Sequence, residues 1–143
     1  MAGRPGATEV TVLVDSSVWI DYLRGVAGAE TDLLHGLIAD GEAAATDVVL
    51  LEVLAGTTDE ERAGRLARFL AGAELLRQES PIDAETAAAL YRTCRRAGET
   101  PRSLNDCVVA AVALRHGVGV LHRDRDFAVL ARHTGLRTVP DAS

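Results

Sequence analysis

The chain contains no lysine, few aromatic residues and no apolar segment long enough to cross a bilayer. All 15 of its basic residues are arginines, and only 3% of its 143 residues are aromatic. Since 48% of the residues are hydrophobic, we still expect a core, built from Ala, Val, Leu and Ile. A membrane-spanning helix needs about 20 apolar residues in a row, and no segment approaches this length. We therefore predict a cytoplasmic protein without a membrane segment.

Cysteine is also scarce. The two cysteines, Cys94 and Cys107, lie in apolar helical patterns and lack the spacing of a metal site. We interpret them as reduced, buried packing residues, as expected in a reducing compartment. Residues 1–9 lack the apolar stretch of a secretory signal and are predicted to form a flexible tail. Residues 10–143 have the size of a single domain.

The net charge of −6 argues weakly against nonspecific binding to nucleic acid, but the charge is unevenly distributed. Residues 1–91 carry six arginines and 16 acidic residues, whereas residues 92–143 carry nine arginines and five acidic residues. A polyanion could therefore approach the C-terminal part of the chain. Arginine also suits bidentate contacts with phosphate, but a GC-rich genome is the simpler explanation of the lack of lysine.

Short apolar strands alternate with helices along the chain. The strands are predicted at 10–14, 42–46, 74–77, 118–121 and 136–139. The helices are predicted at 18–24, 29–39, 48–55, 58–70, 84–97, 103–116 and 127–133. Ser16 or Ser17 is predicted to cap the first helix, and Asp47 and Asp83 two later ones. This order favours an α/β fold with a parallel sheet, in which ligands bind beyond the carboxyl ends of the strands.

Acidic residues stand at or just past the ends of two predicted strands. Asp15 closes the run VTVLVD, and we interpret it as a site residue because Ser16 and Ser17 are available to cap the next helix. Asp124 and Asp126 follow another strand, in VLHRDRDF. The alternative for these two is a solvated loop in which Arg and Asp neutralise each other.

Two further acids lie in apolar helical segments. Glu52 is part of VVLLEVLAG, where burial of an ionised carboxylate is costly unless it is paired or bound to metal. The alternative, an exposed helical stripe, would share its face with valine, alanine and glycine. Asp106 has a simpler explanation, because Ser103 and Asp106 resemble a capping box and Arg102 could form an ion pair with Asp106.

Several carboxylates together suit Mg²⁺ or Mn²⁺, hard cations that prefer oxygen ligands. Such a cation can polarise a phosphoryl oxygen and activate water for hydrolysis. The sequence shows no cluster of His and Cys that would favour zinc, and no glycine-rich phosphate loop.

The segments VDSSVWIDYLRG, VLLEVLAG, PRSLNDCVVAAVAL and LHRDRDF, in this order, resemble the PIN domain, and more narrowly the toxin ribonucleases of VapBC-type toxin–antitoxin pairs. The resemblance covers nearly the whole chain, from about residue 10 to 139. It implies a three-layer α/β/α sandwich with a five-stranded parallel sheet. It also implies a Mg²⁺- or Mn²⁺-dependent endoribonuclease that hydrolyses phosphodiester bonds with a metal-activated water.

The resemblance also implies roles for individual residues and for partners. It assigns metal binding and catalysis to Asp15, Glu52, Asp106 and Asp124. Asp126 resembles a further acid that assists or binds a second ion, and Ser17 resembles a hydroxyl residue that supports the acids. Trp19 is more simply explained by packing. The implied partners are RNA, a cognate antitoxin lying across the acidic groove, and a second copy in a homodimer. By their proximity to the acids in sequence, the candidates for RNA contact are Arg102, Arg123 and Arg125.

Other functions compete with this one. The chain could be a PIN-like RNA-processing nuclease outside a toxin–antitoxin pair. A non-catalytic module that binds RNA or protein is disfavoured, because unpaired carboxylates repel phosphate unless a metal is present. A phosphatase or phospho-acceptor domain with Asp15 as nucleophile is also disfavoured, because the chain has no lysine and Ser17 stands where a second Asp is expected.

Overall fold

The computed structural model describes residues 10–140, so the predicted tail at 1–9 lies outside the described residues. Within residues 10–140 the strands are β1 Val12–Val14, β2 Ala43–Ala45, β3 Glu74–Leu75, β4 Gly119–Leu121 and β5 Thr138–Val139. They form one sheet in the order β3-β2-β1-β4-β5, and every neighbouring pair is parallel. The predicted α/β fold with a five-stranded parallel sheet is confirmed.

The helices of the described residues are α1 Ser16–Leu23, α2 Ala29–Ala39, α3 Asp47–Ala55, α4 Glu60–Leu70, α5 Ile82–Arg96, α6 Leu104–His116 and α7 Arg125–His133. Helix α1 packs against α2 and α3, and α3 against α4, whereas α5, α6 and α7 pack against one another. Contacts between α3 and α6 join the two groups. None of the helices in residues 10–140 has the length and apolar character needed to span a membrane.

The central strands are buried along their whole length because helices cover the sheet. Every residue of β1, β2 and β4 is buried, which explains their unbroken runs of Val, Leu and Ala. Gly119 of β4 packs closely against β5. A Cβ atom at that position would lie 2.8 Å from the Cγ2 atom of Val139 in β5, so a larger residue would force that side chain to shift.

The start of α1 differs from the prediction. Asp15 caps this helix, and its carboxylate accepts a hydrogen bond from the Ser17 backbone N–H. The prediction that Ser16 or Ser17 would be the cap is therefore wrong, because the helix begins directly after the strand, at Ser16. A residue that closes a buried strand thus also starts the next helix.

Two other predicted caps lie inside their helices. Asp47 is the first residue of α3, and its Oδ1 accepts a hydrogen bond from the Gln78 N–H at 2.9 Å. Asp83 lies in the first turn of α5, where its carboxylate binds Arg115. Both acids form hydrogen bonds with residues about 30 positions away along the chain. A capping pattern depends only on neighbouring residues and does not predict such contacts.

Helix α6 runs through the core and has well-defined ends. Most of it is buried, including the whole segment 109–113. Gly117 ends the helix in a left-handed conformation with φ of +68°, as is common for glycine at this position. Because the helix is held along its length, the position of its first turn, which carries Asp106, is set by packing with the rest of the fold.

Candidate metal centre

The parallel pairing of β1 and β4 places two acids at the same edge of the sheet. Asp15 follows β1 directly, and its N–H donates to the carbonyl oxygen of Leu121 at 2.9 Å, which extends the ladder between the two strands. Asp124 lies three residues beyond Leu121. This edge is the one at which parallel sheets bind ligands.

Asp15 is only 2% exposed. Its Oδ2 atom accepts hydrogen bonds from the Ser17 hydroxyl at 2.7 Å and from the Ser17 N–H at 3.3 Å. Its Oδ1 atom is buried and has no hydrogen-bond partner among the described residues. Burial raises the pKa of Asp15, the bonds from Ser17 lower it, and the negative charge of Glu52 raises it further. Ser17 thus supports Asp15 while one oxygen stays free.

Asp106 is buried among other acids. It is 5% exposed, and its Oδ2 atom is buried without a partner in residues 10–140. Burial raises the pKa of Asp106 to about 9, and the nearby Asp15, Asp124 and Asp126 also contribute to the rise. At neutral pH, and with no cation nearby, this carboxyl group holds a proton.

The capping box considered for Asp106 does not form. In that arrangement the Asp106 carboxylate would accept the Ser103 N–H. Instead, the Ser103 N–H donates to Oδ2 of Asp126 at 2.9 Å. No salt bridge joins Arg102 to Asp106 within the part of the chain that the structure describes. The simpler local explanations for Asp106 therefore do not apply.

Asp106, Asp124 and Asp126 form a compact group, with one carboxylate oxygen of each lying within 4.8 Å of the others. Asp124 is half-buried and caps α7, where its Oδ1 accepts the Asp126 N–H at 2.9 Å. Asp126 is 1% exposed, and its two oxygens accept hydrogen bonds from the backbone before α6. The loop carrying Asp124 and Asp126 is therefore not simply solvated.

Glu52 lies beside this group on α3 and is half-buried. Its Oε1 accepts a hydrogen bond from the Ser16 hydroxyl at 2.8 Å, and its Oε2 accepts one from the Asn105 side-chain amide at 3.3 Å. Neither Ser16 nor Asn105 was predicted as a site residue. Their positions next to Asp15 and Asp106 were the available signal.

His122 also contacts the site and was not predicted. Its Nδ1 accepts the Asp124 N–H at 3.2 Å, and its ring packs 5.2 Å from that of Phe127. Burial lowers the pKa of His122. The neutral ring therefore carries its proton on Nε2 and supports the loop that holds Asp124.

The three candidate arginines differ in their surroundings. Arg123 forms a salt bridge with Asp21, with 2.6 Å between its Nε and Oδ2 of Asp21. The Asp21 side chain is only 15% exposed, so the acid that pairs with Arg123 is largely shielded from solvent. Arg102 and Arg125 are exposed. Trp19 is buried and makes an edge-to-face contact with Phe69, as expected for a packing residue.

The donor set fits a divalent cation. Carboxylate oxygens are the ligands that Mg²⁺, Mn²⁺ and Ca²⁺ prefer. Two of these oxygens, on Asp15 and Asp106, are buried without a partner in the described residues, and such atoms are costly unless something binds them. Neighbouring acids also help to raise the pKa of Asp106 and of Asp15, an effect that a bound cation would reverse.

Comparisons with known proteins agree with one another. The PIN domain model matches residues 12–133. Ribonuclease VapC11 of Mycobacterium tuberculosis is 39% identical over 128 residues, which are 88% of this chain and 96% of that protein. The VapBC-5 toxin–antitoxin structure of M. tuberculosis has 28% identity and a TM-score of 0.65, covering 90% and 97% of the two chains. VapBC2 of Rickettsia felis, solved with a DNA fragment from its promoter, shares the fold at 15% identity with a TM-score of 0.71, covering 89% and 96%.

Proposed function

The chain belongs to the PIN domain family, and from this premise we propose that it is an endoribonuclease acting as the toxin of a toxin–antitoxin pair. A relative named as a ribonuclease and structural neighbours that are VapBC toxin–antitoxin complexes support this function. The observation that carries the catalytic part is the acidic group at the carboxyl ends of β1 and β4, where Asp15 and Asp106 each have a buried oxygen without a partner in the described residues.

The proposed cofactor is Mg²⁺ or Mn²⁺. The residues that would hold it are Asp15, Glu52, Asp106 and Asp124. When bound, a divalent cation of this kind polarises a phosphoryl oxygen, activates water and stabilises the leaving oxygen. The chain itself supplies the ordered ligands: Ser17 orients Asp15, and Ser16 and Asn105 orient Glu52.

Helix N-termini add to the attraction for phosphate. Asp15 caps α1, Asp124 caps α7, and Asp106 lies in the first turn of α6, so three helices begin at the acidic group. The positive end of a helix dipole favours anions. Once a cation offsets the carboxylates, the same helix ends favour the phosphodiester of the substrate.

The proposed substrate is RNA, contacted by Arg102 and Arg125, whose side chains are exposed beside the acids. Arg123 remains a candidate, but its salt bridge with Asp21 must open before it can contact phosphate. An antitoxin is the expected protein partner, and we infer a homodimer as the assembly. We place the protein in the cytoplasm, where its two free, buried cysteines would remain reduced.

Substitution of the central acids tests this proposal. We expect Asp15→Asn and Asp106→Asn to lower the rate of RNA cleavage in Mn²⁺ by at least about 100-fold, because each removes a charged ligand. The matched control is Asp59→Asn, which changes another helix-capping aspartate, exposed at the start of α4. Gel assays of RNA cleavage give the rate, and circular dichroism checks the fold. If Asp106→Asn cuts RNA as fast as the parent, the site assignment is wrong.

Two observations separate the competing functions. A module that only binds RNA or protein need not bind Mn²⁺ at this group, so isothermal titration of the parent protein with Mn²⁺ distinguishes it from a nuclease. A PIN-like nuclease outside a toxin–antitoxin pair would lack a neighbouring reading frame that encodes a DNA-binding antitoxin.

A further inference from the structure

Asp126 differs from the other acids of the group in how fully its oxygens are used. Its Oδ1 accepts the Arg102 N–H at 3.0 Å, and its Oδ2 accepts the N–H groups of Arg102 and Ser103, each at 2.9 Å. A carboxylate offers about four acceptor positions. These contacts come from two N–H groups, because the Arg102 N–H is shared between both oxygens. Each oxygen of Asp126 thus already accepts a backbone N–H, whereas Asp15 and Asp106 each have a buried oxygen with no partner in the described residues.

The hydrogen bonds of Asp126 fix the start of α6. Ser103 is the N-cap of this helix, but its side chain makes no capping hydrogen bond. In a capping box, the N–H of the N-cap residue is bound by an acid three residues later, which here is Asp106. Asp126 takes this role from α7, so the Asp106 carboxylate is not needed for capping and remains available to a ligand.

A second attachment holds the same loop to α7. Glu99 lies between α5 and α6, and its carboxylate accepts hydrogen bonds from Nε and Nη2 of Arg132 at 3.1 and 2.8 Å. Its Oε1 also lies 2.7 Å from Nε2 of His133. The loop that leads to Asn105 and Asp106 is thus bound to both ends of α7, by Asp126 at the first turn and by Glu99 at the last.

We propose that Asp126 is a positioning residue rather than a metal ligand: through the backbone of Arg102 and Ser103, it fixes where α6 begins and so where Asp106 lies relative to Asp15. This inference rests on the proposed metal-dependent function. Asp124 is the matched comparison, because it lies on the same loop but receives a single backbone hydrogen bond among the described residues.

Substitutions that separate hydrogen bonding from charge test the proposal. In Asp126→Asn, a side-chain oxygen at the position of Oδ2 can still accept both N–H groups, whereas Asp126→Ala removes every acceptor. We expect Asp126→Asn to bind Mn²⁺ within about 3-fold of the parent by calorimetry, while Asp124→Asn loses at least about 10-fold, as for loss of a ligand or its close support. We expect Asp126→Ala to cleave RNA about 10- to 100-fold more slowly.

Hydrogen exchange supplies a readout that needs neither metal nor activity. The amides of Arg102 and Ser103 are expected to exchange at least about 10-fold faster in Asp126→Ala than in the parent or in Asp126→Asn, because their acceptors are lost. The proposal is overturned if Asp126→Asn loses as much Mn²⁺ affinity as Asp124→Asn while these amides stay protected, because Asp126 would then be a ligand. It is also overturned if Asp126→Ala changes neither exchange nor cleavage.

The failure of the proposed function would look different. A parent protein that neither binds Mn²⁺ nor cuts RNA would refute the metal-dependent nuclease, whatever Asp126 does. Hydrogen exchange would still test whether Asp126 holds the backbone of Arg102 and Ser103 in place. Faster exchange confined to Asp126→Ala supports this role, and equal exchange in all variants refutes it.

Discussion

Helix α6 has a buried carboxylate at each end, and the two are in opposite electrostatic states. Asp106 in its first turn is 5% exposed, and Asp83, which packs against its last turn, is 2% exposed. Burial and neighbouring acids raise the pKa of Asp106 to about 9. Hydrogen bonds from Arg115, near the end of α6, lower the pKa of Asp83 despite its burial. Burial alone therefore does not decide whether a carboxyl group is charged.

The difference lies in the partners. Arg115 donates to the two oxygens of Asp83 from Nε and Nη2 at 2.9 and 2.8 Å, and the Glu79 N–H adds a third bond at 2.8 Å. Asp106 has other acids as neighbours and one oxygen without a partner in the described residues. The fold thus contains a completed ion pair at one end of α6 and, at the other, a group of neighbouring acids with no basic side chain among the partners described for Asp106. The second arrangement is the one expected of a metal site.

Loss of the Arg115 guanidinium from its ion pair with Asp83 should have the largest effect on stability. We expect Arg115→Ala to lower the free energy of unfolding by about 3–5 kcal/mol, because it leaves the Asp83 charge buried and unpaired. The control is Arg65→Ala, which removes an exposed ion pair between Arg65 and Glu61 and should cost at most about 0.5 kcal/mol. Urea denaturation followed by circular dichroism gives both values. Equal effects of the two substitutions would show that the Asp83 pair is not structurally important.

Binding of Mn²⁺ at the acidic group should stabilise the folded protein. At about 100 times its dissociation constant, Mn²⁺ should stabilise the parent by about 2.7 kcal/mol, because it binds only the folded state. We expect Asp106→Asn to lose most of this stabilisation, while Arg65→Ala keeps it. Thermal unfolding with and without Mn²⁺ measures the effect, and equal stabilisation of the parent and Asp106→Asn would argue against the proposed site.

Without metal, the loss of Asp106 should stabilise the protein. The pKa of Asp106 is raised from its ordinary value of 3.8 to about 9, so the folded state retains a proton that the unfolded chain releases between these values. The stability of the parent should therefore fall as the pH rises from about 4 to 9. Asp106→Asn should remove this part of the pH dependence and be more stable near neutral pH by on the order of 1 kcal/mol, the usual size of a single substitution.

Unfolding in a chelating buffer at several pH values checks this. If metal-free Asp106→Asn is less stable than the parent at pH 8, the prediction is wrong, and the Asp106 carboxyl group stabilises the folded state despite its acidic neighbours. The ion pair between Asp83 and Arg115 should change stability with pH in the opposite direction, in the same series of measurements. Because the pKa of Asp83 is lowered, its contribution is present above its ordinary value of 3.8 and is lost as the pH falls through the lower, folded-state value.

The sequence by itself determined the elements, their order and the kind of sheet. Runs such as 10–14 and 118–121 are short and mostly apolar, and the helical periodicities that follow the strands favour parallel strands with crossover connections. Gly117 marks the end of α6 because only glycine adopts its conformation at low cost. These signals are local, since each depends on residues within one or two turns of one another.

Only the tertiary structure decided what each acid contacts. Asp126 binds the backbone before α6, Asp83 binds Arg115, and Arg123 binds Asp21, each across more than 20 residues of chain. Likewise, the donors to Glu52 come from Ser16 and Asn105, on two other helices. The sequence around an acidic residue is similar whether its carboxylate contacts a guanidinium, an amide or another carboxylate. The packing of the helices around the sheet determines which group each carboxylate contacts. That contact distinguishes a structural ion pair from a group of acids able to bind a metal.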